Sequence, residues 1–311
     1  MINEIRNKLK YNIFNDDLVY LLYKVNHNSG FCFYNKKVIF IIENLDNLSY
    51  KSLDTTFLSL KCDLKIESIE NDSSFNTGYY NVIFYNDNIM EEEFYTFINL
   101  CYIYSECDKK IRFDEFFFKM SSLFQIPKEE NYTNLLGFFG ELLFLEKFYL
   151  SYNIDLSKNW HIVNTFDKYD FCINDNCCIE IKTSSKNKDT FKLKHDQIFN
   201  NHNIFIVTIN IKESPNGNTI LELIENINMH DVFSKNIDFQ IKLEEEKRKL
   251  NSKYATKNRF IFSNLNIYLN KELDSIENYP SNISNIIYDY EFEGCKNIDI
   301  DDFVKTLKNV L

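Results

Sequence analysis

The sequence predicts an α/β fold, in which a mixed central sheet is flanked by helices and follows a strand-rich N-terminal region. Three observations predict it. The first ninety residues favour strands, helical periodicity begins near Met90, and strands alternate with helices after Tyr149. Apolar residues make up 44% of the 311 residues and aromatic residues 16%, which is enough for a packed core.

The N-terminal strands are bounded by turn residues. Phe31–Tyr34 and Val38–Glu43 flank Asn35-Lys36-Lys37, and we expect them to form a hairpin. Leu58–Ile69 and Tyr79–Tyr85 are two further predicted strands.

Three helices are predicted next. Phe94, Phe97 and Cys101 recur at helical spacing, which predicts a helix over residues 90–106. A second helix is expected over residues 113–124, with Asp114 as its N-cap. A third, over residues 135–149, would be capped by Asn131 or Thr133 and is apolar on nearly every side, which predicts that it is buried.

Strands return after the third helix. Asp170–Ile173 and Cys177–Lys182 are joined by Asn174-Asp175-Asn176, a strand–turn–strand pattern. The remaining predicted elements are a short helix near 194–200, a buried strand over 204–211, a strand over 219–224 beyond the turn at Pro215-Asn216-Gly217, a long charged helix over 230–252, two or three strands between 260 and 292, and a final helix from Asp299 or Asp301. We expect residues 1–125 to serve targeting or assembly, residues 126–225 to form the catalytic core, and residues 226–311 to complete or flank it.

Charge and cysteine usage narrow the class of protein. The formal net charge of −11 argues against a protein that coats nucleic acid with its whole surface, although one local basic strip would still permit binding. The chain begins without a signal-like segment, and its apolar runs are too short to cross a bilayer. The eight cysteines contain no CxxC pair, so we expect reduced thiols in a cytoplasmic protein that contacts no membrane.

Asp170, Glu180 and Lys182 are the most informative residues. Residues two apart on a strand point to the same face, so Glu180 and Lys182 project together. If Asp170 lies at the end of the paired strand, two carboxylates and one ammonium meet at one end of the sheet. Carboxylate oxygens bind Mg²⁺, which polarises a phosphate and lowers the pKa of a bound water, and the lysine can orient or deprotonate that water. The set suits phosphodiester hydrolysis with Mg²⁺, or Mn²⁺ in its place.

This arrangement resembles the PD-(D/E)XK nuclease superfamily, in which an Asp closing one strand precedes Glu-x-Lys on the next. Asp170 stands in the Asp position, Tyr169 replaces the usual Pro, and Glu180-Ile181-Lys182 matches the second half of the motif. The resemblance implies a restriction-endonuclease-like core. It also implies a metal-site role for Glu141, because members often carry a glutamate on the preceding helix; the alternative is that Glu141 pairs with a core residue.

A narrower resemblance extends over about residues 90–205. The helix Gly137–Phe148, the single Trp160, and Glu180–Ser185 followed by His195–Ile198 look like a bacterial family of PD-(D/E)XK motif proteins. That family is usually found among restriction-modification and phage-defence genes. The resemblance therefore implies DNA as substrate, and a methyltransferase, an ATPase and a helicase-like protein as partners. Dimerisation, which is frequent in the superfamily, implies a homodimer.

A lysine-rich strip follows the motif and holds one acidic residue, Asp189. We expect it to contact the phosphate backbone, and the alternative is an ordinary exposed loop. Its members are Lys182, Lys186, Lys188, Lys192 and Lys194.

Two further sets of residues have weaker signals. Gln197 follows the motif on a helix, where related nucleases place a polar residue near the substrate or the motif lysine, and His195 is a lesser candidate. A zinc site is disfavoured, because adjacent cysteines on one strand point to opposite faces. Its ligands would be Cys172, Cys177, Cys178, His195 and His202.

The sequence thus predicts a Mg²⁺-dependent DNA endonuclease, as the nuclease subunit of a restriction or anti-phage defence system. Two alternatives stay open. One is a DNA-binding or assembly module on the same fold with little or no catalysis, and the other is a nuclease directed at RNA.

Overall fold

The computed structural model describes residues 1–44, 52–70, 78–87, 92–107, 111–125, 132–160, 169–174, 176–186, 189–199, 202–250, 252–276, 282 and 285–311. The chain divides into two compact units, Met1–Pro127 with Ser234–Glu245, and Lys128–Phe233 with Glu246–Leu311. Helices and strands occur in both, which confirms the predicted α/β class. No helix among the described residues combines the length and the apolar character needed to span a bilayer. The predicted roles of residues 1–125, 126–225 and 226–311 stay predictions.

The first unit contains a six-stranded antiparallel sheet in the order β1-β2-β3-β6-β5-β4. Its elements are α1 (Ile2–Tyr11), β1 (Tyr20–Lys24), β2 (Ser29–Tyr34), β3 (Lys37–Glu43), β4 (Ser52–Asp54), β5 (Leu58–Ile66), β6 (Gly78–Tyr85), α2 (Glu92–Glu106) and α3 (Phe113–Leu123).

Local chemistry explains the predicted hairpin of the first unit, which is confirmed. Asn35 and Lys36 have φ of 49° and 62°, the two positive angles of a tight turn that matches the twist of β2 and β3. One face of the sheet is buried beneath the helices, as the edge-to-face rings of Phe31 and Phe97, 6.3 Å apart, illustrate.

Two helix starts in the first unit differ from expectation. Helix α1 was not predicted, since the N-terminal region favoured strands. The N-cap of α3 is Arg112 rather than Asp114, which is the second residue of the helix. Asp114 instead accepts hydrogen bonds from the Arg112 guanidinium at 2.9 and 3.1 Å, so its carboxylate serves an ion pair at the helix start.

The second unit contains the predicted core. Its further elements, in chain order, are α4 (Tyr132–Tyr152), β7 (Phe171–Asn174), β8 (Cys177–Ser184), β9 (Thr190–Lys194), α5 (His195–Ile198), β10 (Asn203–Asn218), α6 (Ile220–Asn228), α7 (Asp231–Ser234), α8 (Ile237–Lys249), α9 (Ser252–Lys257), β11 (Phe260–Leu269), β12 (Ile287–Glu291) and α10 (Ile300–Val310). Parts of α7 and α8 belong to the first unit, as the division above states.

A mixed four-stranded sheet orders the second unit as β11-β10-β8-β7. Strands β8 and β10 are parallel, and the other pairs are antiparallel. Strand β9 pairs with β12 in a separate two-stranded sheet. The lysine-rich segment therefore includes a strand that was not predicted, with Phe191 and Leu193 buried and Lys192 and Lys194 exposed.

Helix α4 packs tightly against β8 because Gly140 lacks a side chain. A Cβ at Gly140 would lie 1.8 Å from the Thr183 hydroxyl oxygen. On the same side, Phe144 contacts Phe171 with ring centroids 5.5 Å apart. The odd-numbered residues of β8 thus face α4, and Glu180 and Lys182 face the other way.

The prediction of a strand over 219–224 is wrong. Strand β10 runs on to Asn218, and Thr219 caps helix α6: its hydroxyl accepts from the Glu222 N–H at 3.2 Å, and the Glu222 carboxylate accepts from the Thr219 N–H at 2.9 Å. This capping box begins an amphipathic helix, with Leu223 and Ile227 on its buried face. A short apolar run such as that at 219–224 suits either a strand or the buried face of a helix.

Two other helix predictions need correction. The single helix expected over 230–252 is divided into α7 and α8, because Asn236 begins a new helix by accepting from the Phe239 N–H at 3.2 Å. Helix α4 begins at Tyr132, so Thr133 lies inside it and is not its cap, and Asn131 lies outside the described residues. The predicted final helix is confirmed, with Asp299 as its N-cap.

Candidate active site

The motif residues converge where β7 begins beside the middle of β8. Phe171 pairs with Ile179, which brings Asp170, just before β7, next to the second half of the motif. The Ile181 N–H donates to Asp170 Oδ2 at 2.6 Å. This bond fixes the Asp170 carboxylate against the strand that carries Glu180.

Glu180 has unequal surroundings at its two oxygens. Oε1 accepts from the Lys182 ammonium at 2.6 Å and from the Gln197 amide at 2.7 Å. Oε2 is buried and has no hydrogen-bond partner among the described residues. Gln197 in turn accepts from the Lys194 N–H at 3.0 Å, so the start of α5 holds the amide in place.

Helix α4 contributes Glu141 from the other direction. Trp160 Nε1 donates to Glu141 Oε2 at 2.8 Å, and the Trp160 ring lies parallel to Phe138 with centroids 6.1 Å apart. A backbone bridge joins Trp160 to Phe171 at the start of β7. Trp160, which the sequence offered only through resemblance, thus ties Glu141 to the strand beside Asp170.

The carboxylates influence one another strongly. Burial raises the pKa of Asp170 well above its ordinary value, and the charges of Glu180 and Glu141 raise it further. The Ile181 N–H and the Lys182 ammonium lower this pKa, but by less. Burial also raises the pKa of Glu180, although Lys182 and Gln197 oppose the shift. Three carboxylates therefore share one region with one ammonium.

These residues fit a hard divalent cation. Within the described part of the chain, no group of three or more His, Cys, Asp or Glu side chains is disposed to hold a metal ion. Mg²⁺, however, retains several waters and binds through one or two carboxylates. The buried, unpartnered Glu180 Oε2 and the excess of negative charge are what a cation held by Asp170 and Glu180 would relieve.

The predicted substrate residues lie in different environments. Gln197 is buried and hydrogen-bonded at both ends of its amide, which places it on the Glu180 oxygen that also binds the motif lysine, and its contact with a substrate stays a prediction. Lys186 is exposed just after β8, and Lys188 lies outside the described residues. His195 is buried against the ring of Phe199.

The expectation of reduced thiols is wrong for one pair. Cys172 and Cys178 face each other across β7 and β8 and form a disulfide, with Cα atoms 4.2 Å apart. Residues directly opposite each other on antiparallel strands have Cβ atoms close enough for their two sulfurs to form a disulfide. The spacing of cysteines along the sequence does not reveal which residues lie opposite each other. Cys177 is a buried free thiol.

Sequence reasoning missed polar residues on the neighbouring strand. Thr208 pairs with Lys182 and Asn210 pairs with Ser184 in the parallel register of β8 and β10. Both side chains are buried. The polar residues at alternate positions in Thr208-Ile209-Asn210 were the available signal, within a strand that was predicted to be fully buried.

Comparison with family models matches residues 110–290, more than half of the chain, to the family described as "Putative PD-(D/E)XK family member" (DUF4420). No curated protein and no solved structure matches the chain. The matched range includes all four clustered charged residues, Glu141, Asp170, Glu180 and Lys182. The chain belongs to this PD-(D/E)XK family.

Proposed function

We propose that this chain is a Mg²⁺-dependent nuclease that hydrolyses phosphodiester bonds in DNA, with Mn²⁺ able to replace Mg²⁺. One observation carries the proposal. Asp170, Glu180 and Lys182 lie together with Glu141 in a chain of the PD-(D/E)XK family, whose superfamily consists largely of hydrolytic nucleases.

Each residue has a role that its contacts support. Asp170 and Glu180 would hold the cation, with Glu141 adjoining them. When bound, Mg²⁺ supplies a Lewis acid at the phosphate and acidifies a bound water. Lys182, with three donors on one ammonium, orients the attacking water and offsets charge on the phosphoryl oxygens. Gln197 and Trp160 keep the Glu180 and Glu141 carboxylates in place.

Cleavage of plasmid and phage DNA, methylated and unmethylated, tests the proposal. Wild type is compared with Asp170→Ala and Lys182→Ala in Mg²⁺, in Mn²⁺ and in EDTA. We expect metal-dependent cutting that falls about 10²-fold or more in each variant, because each loses a group that acts on the reacting phosphate.

Matched controls come from exposed residues of the second unit. Asp302→Ala and Lys308→Ala, both on α10, remove the same charges away from the cluster and are expected to cut at the wild-type rate. Cutting that survives in Asp170→Ala and Lys182→Ala would reject the assigned site.

The biological setting is proposed from the family resemblance. A restriction or anti-phage defence system in the cytoplasm would place the chain beside a methyltransferase, an ATPase or a helicase-like protein, and a homodimer would let two sites cut both strands. DNA and RNA oligonucleotides of matched sequence separate the two substrate classes, and preferential cutting of RNA would replace DNA as the substrate.

A second candidate is a DNA-binding or assembly module with little or no catalysis. The observation that favours it is the 2.6 Å contact of Lys182 with Glu180, which places an ammonium on a proposed metal ligand. DNA binding without divalent-cation binding, measured on the wild type, would support this candidate over the nuclease.

A further inference from the structure

Asn210 is a buried amide without an evident structural task. Its side chain is 2% exposed, and its Oδ1 has no hydrogen-bond partner among the described residues. A buried carbonyl oxygen is costly unless a donor reaches it in some state of the protein.

The register of the sheet places Asn210 close to Lys182. Thr208 lies directly opposite Lys182, and Asn210 lies one step further along the same face of β10. Ile204 and Ile206, the preceding residues of that face, pack in one cluster with Cys178 of β8, on the face that Glu180 and Lys182 share. Adjacent strands lie about 4.8 Å apart, so a residue one step further along the same face of the next strand is within range of a long side chain.

Lys182 and a divalent cation compete for Glu180. The ammonium lies 2.6 Å from Oε1, so a cation on either oxygen of this carboxylate would meet a like charge a few ångströms away. Cation binding therefore favours departure of the ammonium from Glu180, and this ammonium, on a side chain that is 20% exposed, needs acceptors in place of the carboxylate.

The side-chain oxygens near Lys182 differ in whether they are free to accept a hydrogen bond from its ammonium. The Thr208 hydroxyl is already hydrogen-bonded to Tyr268, and the Ser184 hydroxyl accepts from the Lys186 N–H at 3.2 Å. Asn210 Oδ1 is neutral and unpartnered among the described residues, so it neither competes for the cation nor loses an existing bond.

We propose that Asn210 is a positioning residue for Lys182, accepting a hydrogen bond from its ammonium once a divalent cation occupies Glu180. The proposal rests on the proposed function. In the metal-free protein Lys182 neutralises Glu180, and in the loaded protein Asn210 holds the ammonium away from the cation and beside the attacking water.

The test is a calorimetric Mg²⁺ titration of wild type, Asn210→Leu, Asn210→Ala and Asn210→Asp, with thermal unfolding of each metal-free protein. We expect Mg²⁺ affinity to fall about tenfold in the Leu and Ala variants, since the displaced ammonium loses its acceptor. Asn210→Leu should leave the metal-free melting temperature unchanged or raised, because it removes an unpaired polar group. Asn210→Asp keeps an acceptor of the same size and adds a negative charge, so it should bind Mg²⁺ at least as tightly as wild type.

The control is Asn264→Leu, at the exposed position opposite Asn210 on β11, and it should change neither quantity. Wild-type Mg²⁺ affinity in Asn210→Leu and Asn210→Ala overturns this proposal and leaves the nuclease standing. A lowered metal-free stability in Asn210→Leu with unchanged affinity assigns Asn210 a structural role and also overturns it. A wild type that binds no Mg²⁺ overturns both proposals.

Discussion

At the scale of single residues, Glu180 is the residue of the candidate site that both Lys182 and Gln197 contact. Its Oε1 receives Lys182 from the same strand and Gln197 from α5, whereas its Oε2 has no hydrogen-bond partner in the described part of the chain. A buried carboxylate held at one oxygen is fixed in direction and still has an oxygen to offer. Gln197 is one of the two donors that hold this oxygen.

Asp170→Asn is expected to stabilise the metal-free protein at neutral pH. The pKa of Asp170 is raised well above its ordinary 3.8, first by burial and then by Glu180 and Glu141. Below that ordinary value the carboxyl is protonated in both states, and substitution matters little. At higher pH the unfolded chain ionises first, so the carboxyl increasingly disfavours the folded protein until the pH passes the raised value.

Thermal unfolding in EDTA over a pH series measures this effect. The melting temperature of Asp170→Asn should exceed that of wild type by an amount that grows from about pH 4 to pH 7. The Asn carbonyl can still accept from the Ile181 N–H, so the backbone contact is kept. Asp289→Asn, on the exposed face of β12, is the control, and a pH-independent difference would contradict the assignment.

The sequence predicted the residues of the site better than their partners. Asp170, Glu180 and Lys182 followed from strand periodicity and a strand–turn–strand pattern, which are local properties. The Trp160–Glu141 hydrogen bond, the Cys172–Cys178 disulfide and the position of Asn210 depend on how separate elements pack, which periodicity within one element does not determine.

At the scale of elements, the approach of α4 to β8 positions Glu141. Two glycines of α4, three residues apart, have opposite surroundings. A Cβ at Gly140 would overlap the Thr183 side chain, whereas a Cβ at Gly137 would meet nothing within 4 Å. Packing therefore requires a glycine at position 140 but not at position 137.

Alanine substitutions at these glycines should have opposite effects on the free energy of unfolding. Gly137→Ala is expected to stabilise the protein by about 1 kcal/mol, through helix propensity alone. Gly140→Ala is expected to destabilise it by about 1–3 kcal/mol, because α4 and β8 must separate. Urea unfolding of both variants measures the difference, and equal effects would show that α4 does not pack on β8 in this way.

The start of α6 gives a second prediction, with a defined pH dependence. The pKa of Glu222 is lowered, first by the hydrogen bond from the Thr219 N–H and then by the Arg259 guanidinium. Desolvation raises this pKa, but by less than the other groups lower it. Its contribution to stability is therefore present above the ordinary carboxyl value of 4.5 and is lost as the pH falls through the lower folded value. Glu222→Gln should be less stable than wild type at pH 7 and equally stable near pH 3.

Thr219→Ala separates the hydroxyl cap from this charge effect. Loss of an N-cap hydroxyl is expected to cost about 1 kcal/mol at both pH values. Chemical unfolding of the two variants at pH 7 and pH 3 provides the comparison. A pH-independent loss in Glu222→Gln would contradict an ionised Glu222 in the cap.

The elements that the sequence predicted well have decisive local signals. The β2–β3 hairpin has Asn35 and Lys36 at its turn, and α10 has Asp299 at its start. The 219–224 segment was misassigned because a short apolar run suits a strand or a buried helix face, and only the capping residues distinguish the two. Strand β9 was missed because lysines occupy its outer face.

At the scale of the whole molecule, the candidate site lies within one of the two units. The family match covers residues 110–290, and the six-stranded sheet of the first unit lies outside it. Under the proposed function, the net charge of −11 would leave contacts with DNA to local positive groups such as Lys186, Lys192 and Lys194, which are exposed. A role for the first unit in targeting or assembly stays a proposal.

The most direct test of the central claim is a calorimetric titration of the whole chain with Mn²⁺, in wild type and in Glu180→Gln. The account predicts that wild type binds the cation and that Glu180→Gln, which keeps the shape and the hydrogen bonding of the side chain but not its charge, binds it about tenfold or more weakly. Equal binding by the two proteins, or none by wild type, would contradict a metal site at Asp170 and Glu180.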